Sequence, residues 1–360
     1  MLSDSARATA SSLAPRESEA QDDIPWLQGR DLFAFGLVLF LAFTAFFLPE
    51  RRWASCANWL ARRRLAGTAP LDDDELETVK VVVGKGEDKS AWIEKSFRKD
   101  WLAQKYLGWL QLLACYRPWR WRPNPKLVGR QHLEDALERG RGVILLTANF
   151  AHKDLMTKAA LANAGYWASH LVRDSHGFAE SRIGKALLNP LYSGIERRFL
   201  RERLVFSGSA TREVNKLIKE RLRENRPILV TVTPLGRRIG TLPFLHGRIK
   251  IATGALNFAC EAGAEVLPIF AIRKPDGSVE TIIEHPLDRP ADADRGQAIQ
   301  SMLEDYVPRL ETYVAQYPEQ FAFPTSGRHG RALIEPWASP AQSEKRRDVP
   351  AREAVAEQPS

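Results

Sequence analysis

The chain has 360 residues, 44% of them hydrophobic, which is enough for one large core or two modest ones without disulfide staples. Its three cysteines, Cys56, Cys115 and Cys260, form no CxxC pair and no metal-binding spacing; this argues against a disulfide scaffold or a cysteine metal site and suits reduced thiols in a cytosol-facing protein. The formal charge of +8 calls for an anionic partner, and because zinc-finger, basic-zipper and RNA-binding patterns are missing while the densest arginine group abuts an apolar segment, a membrane is expected and nucleic acid is not.

Residues 1–24 are rich in Ser, Ala and acids without an apolar period, and read as a disordered tail. Residues 32–49, LFAFGLVLFLAFTAFFLP, hold eighteen uncharged positions, at the short end of what spans a bilayer, so 25–50 reads as a transmembrane anchor helix. Residues 1–31 carry six acids and three arginines, whereas Arg51, Arg52, Arg62, Arg63 and Arg64 follow the apolar run with no acid among them. The positive-inside rule then places the rest of the chain in the cytoplasm, at the inner face of a bacterial-type plasma membrane. A cleaved signal peptide would want a basic start and a small-residue cleavage site, and neither is present. The competing reading is a buried or interfacial hairpin, because the run is short and rich in Phe.

Residues 51–128 read as a helical membrane-proximal region, with an acidic run from Leu71 and helical spacing in WLAQKYLGWLQLLACY. The stretch RPWRWRP, 117–123, alternates Arg and Trp, which suits a surface at headgroup depth and equally suits a polar loop with two half-buried Trp residues. From Gly129 strands and helices alternate. A helix over QHLEDALERG precedes a buried strand at 142–148 and a helix from His152 to Ala164. A helix from Thr211 to Asn225, with Val214, Leu217, Ile218 and Leu222 on one face, leads to a strand at 226–234. ATGALNFACEAG reads as a helix capped at Gly263, followed by a strand at 265–273, a turn at Pro275-Asp276-Gly277 and an antiparallel strand over SVETIIEHP. A long amphipathic helix follows Pro290, with Pro308 expected to kink it. The alternation predicts an α/β domain over 129–332, a mixed and mainly parallel sheet flanked by helices, with a second disordered tail at 333–360.

Three blocks stand out: GRGVILLTANFAHKDL at 140–155, GTLPFLHGRIKIATGALNFACEAGAEVLPIFAIRKPDG at 240–277, and YPEQFAF at 317–323. In order and spacing they resemble the lauroyl and myristoyl acyltransferases of lipid A synthesis, within the wider lysophospholipid acyltransferase superfamily. The resemblance implies transfer of a fatty acyl group from an acyl-thioester, on acyl carrier protein or coenzyme A, to a hydroxyl of a membrane lipid or glycolipid. It implies no other cofactor and no metal.

The family's motif is a His followed after four residues by Asp or Glu, the His taking the acceptor's proton and the carboxylate holding the imidazolium. Here those positions fall on Asn149 and Asp154. Asn has no nitrogen that titrates near neutral pH, so the chain reads as a substrate-assisted or weak enzyme, an enzyme with a relocated base, or a lipid-binding or regulatory homologue. His152 is the nearest candidate base, although on a regular helix it and Asp154 would point to different faces; its alternative is an ordinary histidine of the first turn. His246, in the PFLHG turn, is a more distant one.

VTPLGRR, 232–238, replaces an Asp-Gln pair common in those relatives, and Arg237 and Arg238 are candidates for gripping a phosphate or for a solvated loop. IERRFLRER, 195–203, offers Arg197 and Arg198, with Arg201 and Arg203, as a docking face for an acidic carrier or as a solvated helix face. Arg173, Thr253 and Gly254 complete the expected substrate-binding set. No GxSxG, GxxxxGK[ST] or HExxH is present, which leaves serine-hydrolase, P-loop and zincin chemistry unsupported.

Overall fold

The computed structural model describes residues 29–86, 89–117, 121–173, 177–178, 182–206, 211–321 and 333–337. The tail read over 1–24, and the one over 333–360 from residue 338 onward, lie outside these residues. The chain opens with helices: α1 (Gly29–Phe47), α2 (Trp53–Ala66), α3 (Asp73–Val83), and a short α4 (Lys89–Trp92) that runs through a π-helical turn, Ile93–Phe97, into α5 (Arg98–Ala114). The acidic run is the start of α3, where Asp72 and Glu75 form a reciprocal capping box.

Then follow β1 (Lys126–Val128), α6 (Arg130–Glu138), β2 (Val143–Thr147), a π-helical turn at Lys153–Thr157, α7 (Lys158–Asn163), β3 (Ser169–Arg173), α8 (Arg182–Leu187), α9 (Asn189–Glu196) and β4 (Glu202–Phe206). The remainder is α10 (Thr211–Arg223), β5 (Pro227–Thr231), β6 (Ile239–Phe244), β7 (Gly247–Ala252), α11 (Gly254–Ala262), β8 (Glu265–Arg273), β9 (Val279–Ile283), α12 (Arg295–Gln316) and β10 (Ile334–Pro336). Helix α12 starts at an Asp294–Gln297 capping box and continues through Pro308.

Seven strands form one sheet in the order β1-β9-β8-β2-β5-β3-β4. Strands β8, β2, β5, β3 and β4 are mutually parallel, and β9 returns antiparallel to β8. This is the mixed, mainly parallel sheet flanked by helices. Strand β2 is buried at every position because both faces are covered, and its pleat deals alternate residues to two cores. Ile144 and Leu146 join the core built with α10, α11 and α12, while Val143 and Leu145 pack with Leu133 and Ala136 of α6.

A second, three-stranded antiparallel sheet of β10-β7-β6 was not anticipated. Its β6–β7 hairpin turns through Leu245, at φ 49°, and Pro243 is accommodated because β6 is an edge strand. Strand β10 falls inside the expected tail: Leu333 and Ile334 are buried in the main core, so order extends at least to residue 337.

Helix α1 lies along α5 and α2, with Leu37, Val38, Leu41 and Ala45 buried in that contact. Among the described residues, no helix is long and apolar enough to cross a membrane. The outer face of α1 is nevertheless apolar: Leu39, Phe43 and Phe47 are each about two-thirds exposed, beside Trp59 of α2. In the Arg-Trp stretch, Arg117 donates to the carbonyls of Ala45 and Leu48 at the end of α1 and stacks on Trp53. Trp121 packs edge-on against Trp53 and donates to Glu50, so these two members of the stretch hold the helical layer together. Trp119 lies outside the described residues.

Candidate active site

A cleft of about 1230 Å³ opens at the C-terminal ends of β2, β3 and β5, the position at which parallel α/β sheets generally receive ligands. One stripe of α5 and the start of α11 complete its walls. Of the residues singled out in the sequence, Asn149, His152, Asp154, Arg173, Arg237, Arg238, Thr253 and Gly254 all line it. Arg197, Arg198 and His246 do not. Arg198 donates to the carbonyl of Cys115 and stacks on Tyr116, exposed Arg197 sits beside it, and exposed His246 is at the tip of the β6–β7 hairpin, where its backbone N–H bonds to Val81.

The turn carrying Asn149 is fixed from two sides. Ala151 N–H donates to the carbonyl of Gln320 at 2.7 Å, and Phe150 packs edge-on against Phe321. The Gln320 side chain is itself clamped, accepting from Arg273 N–H at 2.8 Å and donating to its carbonyl at 2.7 Å. The YPEQFAF block is thus a brace that ties the end of β8 to the Asn149 turn. On the other side α5 comes very close, because residue 108 is glycine: a Cβ there would stand 2.8 Å from the Ala151 carbonyl oxygen.

His152 is only 2% exposed and sits between two glutamines of α5, Nδ1 3.1 Å from Gln111 Oε1 and Nε2 3.0 Å from Gln104 Oε1. A neutral imidazole has one N–H and one lone pair, so one glutamine accepts and the other turns its amide N–H to the ring. Burial, reinforced by the positive charge of Arg273, pushes the imidazole down to about 3. The ring is neutral at physiological pH, but both nitrogens are engaged and its proton affinity is far too low for a base that must hold a proton in the transition state. His152 and Asp154 do not pair.

Asp154 instead belongs to a charged network. Lys153 lies 2.5 Å from it and Lys158 3.8 Å, and the buried Tyr192 hydroxyl bonds to it. Lys158 also pairs with Glu196, both side chains being 1% exposed, and Arg203 reaches the same carboxylate at 3.4 Å. Burial, then the charges of Asp154 and Glu196, hold the Tyr192 phenol well above its ordinary range.

The cleft wall is otherwise cationic. Lys105, Arg173, Arg237 and Arg238 line it, and among the described residues none of the four side chains is paired with a carboxylate. Thr253, whose Oγ1 bonds to the Arg238 carbonyl at 3.3 Å, ties the arginine loop to the start of α11, where Gly254 leaves open space. Apolar surface from Leu112, Leu155 and Phe178 continues the cleft, and Ala34 of α1 reaches its rim. Lys105, Lys153 and the buried His170 escaped the sequence reading: each sits in an ordinary helix or strand pattern that carries no signal of a site. The arrangement can bind an anion beside an apolar chain and present Asn149 to it by hydrogen bonds.

The family model described as bacterial lipid A biosynthesis acyltransferase matches residues 86–323. No curated protein matches the chain.

Proposed function

Because the chain belongs to the bacterial lipid A biosynthesis acyltransferase family, we propose that it moves a fatty acyl group from a thioester of acyl carrier protein or coenzyme A to a hydroxyl of a phosphate-bearing lipid or glycolipid. The observation that carries this reading is the cleft. Asn149 and Asp154 stand where the resemblance puts the reacting groups, beside the cations Lys105, Arg173, Arg237 and Arg238 and an apolar channel. The arginines hold the acceptor's phosphate by charge-assisted hydrogen bonds, and the apolar walls hold the acyl chain. The acceptor hydroxyl attacks the thioester carbonyl, the thiol leaves, and the Asn149 amide orients the reacting oxygen.

The substrate reaches the cleft from a bilayer. The exposed apolar face of α1, flanked by Arg51, Arg52 and Arg62 to Arg64, rests in the headgroup region at the inner face of a plasma membrane, while Ala34 on the opposite, packed side of the same helix lines the cleft. One further observation favours a second reading, a lipid-binding homologue without turnover: Asn149 cannot take a proton and His152 is sealed. The two separate in an assay of purified protein with acyl-thioester donors and total bacterial lipid in mixed micelles. A new acylated lipid found by mass spectrometry supports the enzyme, whereas retained lipid binding with no product across donors supports the homologue.

A further inference from the structure

Helix α5 is laid on the Asn149–His152 turn. Gly108 touches Ala151, and Gln104 and Gln111 hold His152. Lys105 stands three residues before Gly108 and seven before Leu112, on the helical stripe that faces the cleft, and it shares that cleft with Asn149 and Asp154. Its ammonium lies over the rings of Trp101 and Trp109, 5.3 and 5.0 Å from their centroids, one turn to either side.

Among the described residues no hydrogen bond or ion pair holds it. Among the described side chains, the carboxylates on α5 and on the elements packed against it, Glu319 apart, are taken: Glu94 by Arg98, Asp100 by Lys99, Asp154 by Lys153 and Glu196 by Lys158. Burial turns Glu319 toward its neutral form. Among the described side chains, the cations on the same elements are Arg98 and Lys99 on α5, Arg62, Arg63 and Arg64 on α2, Lys95 before α5, and Lys153. The indole faces favour the ammonium and burial opposes it; burial prevails, so the amine titrates below the ordinary lysine range.

We propose that Lys105 is the general base that takes over from the absent motif histidine. This rests on the acyl-transfer reading above. Neutral Lys105 Nζ takes the proton of the acceptor hydroxyl while that oxygen bonds to the thioester carbonyl carbon. The tetrahedral intermediate collapses with cleavage of the C–S bond, and the Lys105 ammonium returns its proton to the leaving thiolate, giving ester, free thiol and the neutral amine. His152 is excluded by its engaged nitrogens, and the Lys153 amine is already taken by its ion pair with Asp154.

Two measurements test this. Competitive labelling with acetic anhydride across pH, read by peptide mass spectrometry, compares Lys105 with Lys216, whose side chain is 79% exposed. The expected midpoint for Lys105 lies at lower pH than that of Lys216; an equal or higher midpoint overturns the proposal without any reference to activity. In the transfer assay, Lys105→Arg keeps the charge and the helix but cannot shed its proton, and kcat is expected to fall about 10²–10⁴-fold with an unchanged melting temperature. The ascending limb of the wild-type pH profile should match the labelling midpoint. Near-wild-type activity in Lys105→Arg, or an equal loss in His170→Gln with none in Lys105→Gln, sinks the base assignment and leaves acyl transfer standing. Wild type without transfer from any donor overturns both.

Discussion

Replacing His152 with alanine should destabilise the protein by an amount that shrinks as the solution is acidified. At pH 7.5 the variant loses the ring's packing and leaves the Gln111 amide, itself 6% exposed, without its partner, and a truncated buried ring with an orphaned amide costs about 3–5 kcal/mol. In wild type the folded imidazole stays neutral down to about 3, whereas the unfolded one protonates near its ordinary 6.5. Between those values the unfolded state binds the extra proton, so the stability present above 6.5 is lost as pH falls, at about 1.4 kcal/mol per pH unit and about 2 kcal/mol by pH 5. The alanine variant has no such group. Urea denaturation of both proteins at pH 7.5, 6 and 5 should show the gap narrowing to about 1–3 kcal/mol, the other titrations cancelling in the difference. A gap that stays constant with pH refutes the sealed, neutral ring and returns His152 to the list of candidate bases.

Lys158→Met should cost up to about 3–5 kcal/mol in the same denaturation assay, because it removes the fully buried partner of Glu196 and leaves that carboxylate to the more distant Arg203; adding Glu196→Leu should recover part of that loss, and a double variant no better than the single one contradicts the pair. The Arg237→Ala, Arg238→Ala double variant should raise KM for a phosphate-bearing acceptor by about tenfold or more with a smaller change in kcat, and the wild-type advantage should shrink in high salt. Leu39→Asp with Phe43→Asp should weaken co-sedimentation with anionic vesicles at least about tenfold while leaving the melting temperature near wild type, since both side chains are about two-thirds exposed.

What could be read from the sequence followed the physics of burial. Strands β2, β5 and β8 lie inside the sheet and therefore show as continuous apolar runs, while α6, α10, α11 and α12 show through one apolar stripe each, and α11 also through its Gly263 cap. The β6–β7 hairpin was hidden by Pro243, which reads as a turn, and β10 by being three residues long in a Pro- and Ala-rich segment. Strands β3 and β4 carry His170, Arg173, Glu202 and Arg203, so their short apolar centres never formed a pattern.

At the site, the family resemblance alone points to Asn149 and Asp154, and Arg173, Arg237 and Arg238 line the same cleft. The Lys158–Glu196 pair joins residues 38 apart, which no local pattern encodes. Lys105 looks in sequence like any surface lysine of an amphipathic helix; only the docking of α5 through Gly108 turns it inward. His152 is legible as a ring beside the motif, but the two glutamines that take both its nitrogens lie 41 and 48 residues away, beyond any local pattern.

The most direct test of the account is mass spectrometry of total lipids from a deletion strain carrying empty vector, wild type, or Asp154→Ala at matched protein level. Acyl transfer at this cleft predicts one lipid species heavier by a single acyl mass with wild type alone, and that mass identifies both chain and acceptor. Identical lipid profiles in all three, with the wild-type protein present and membrane-bound, contradict it.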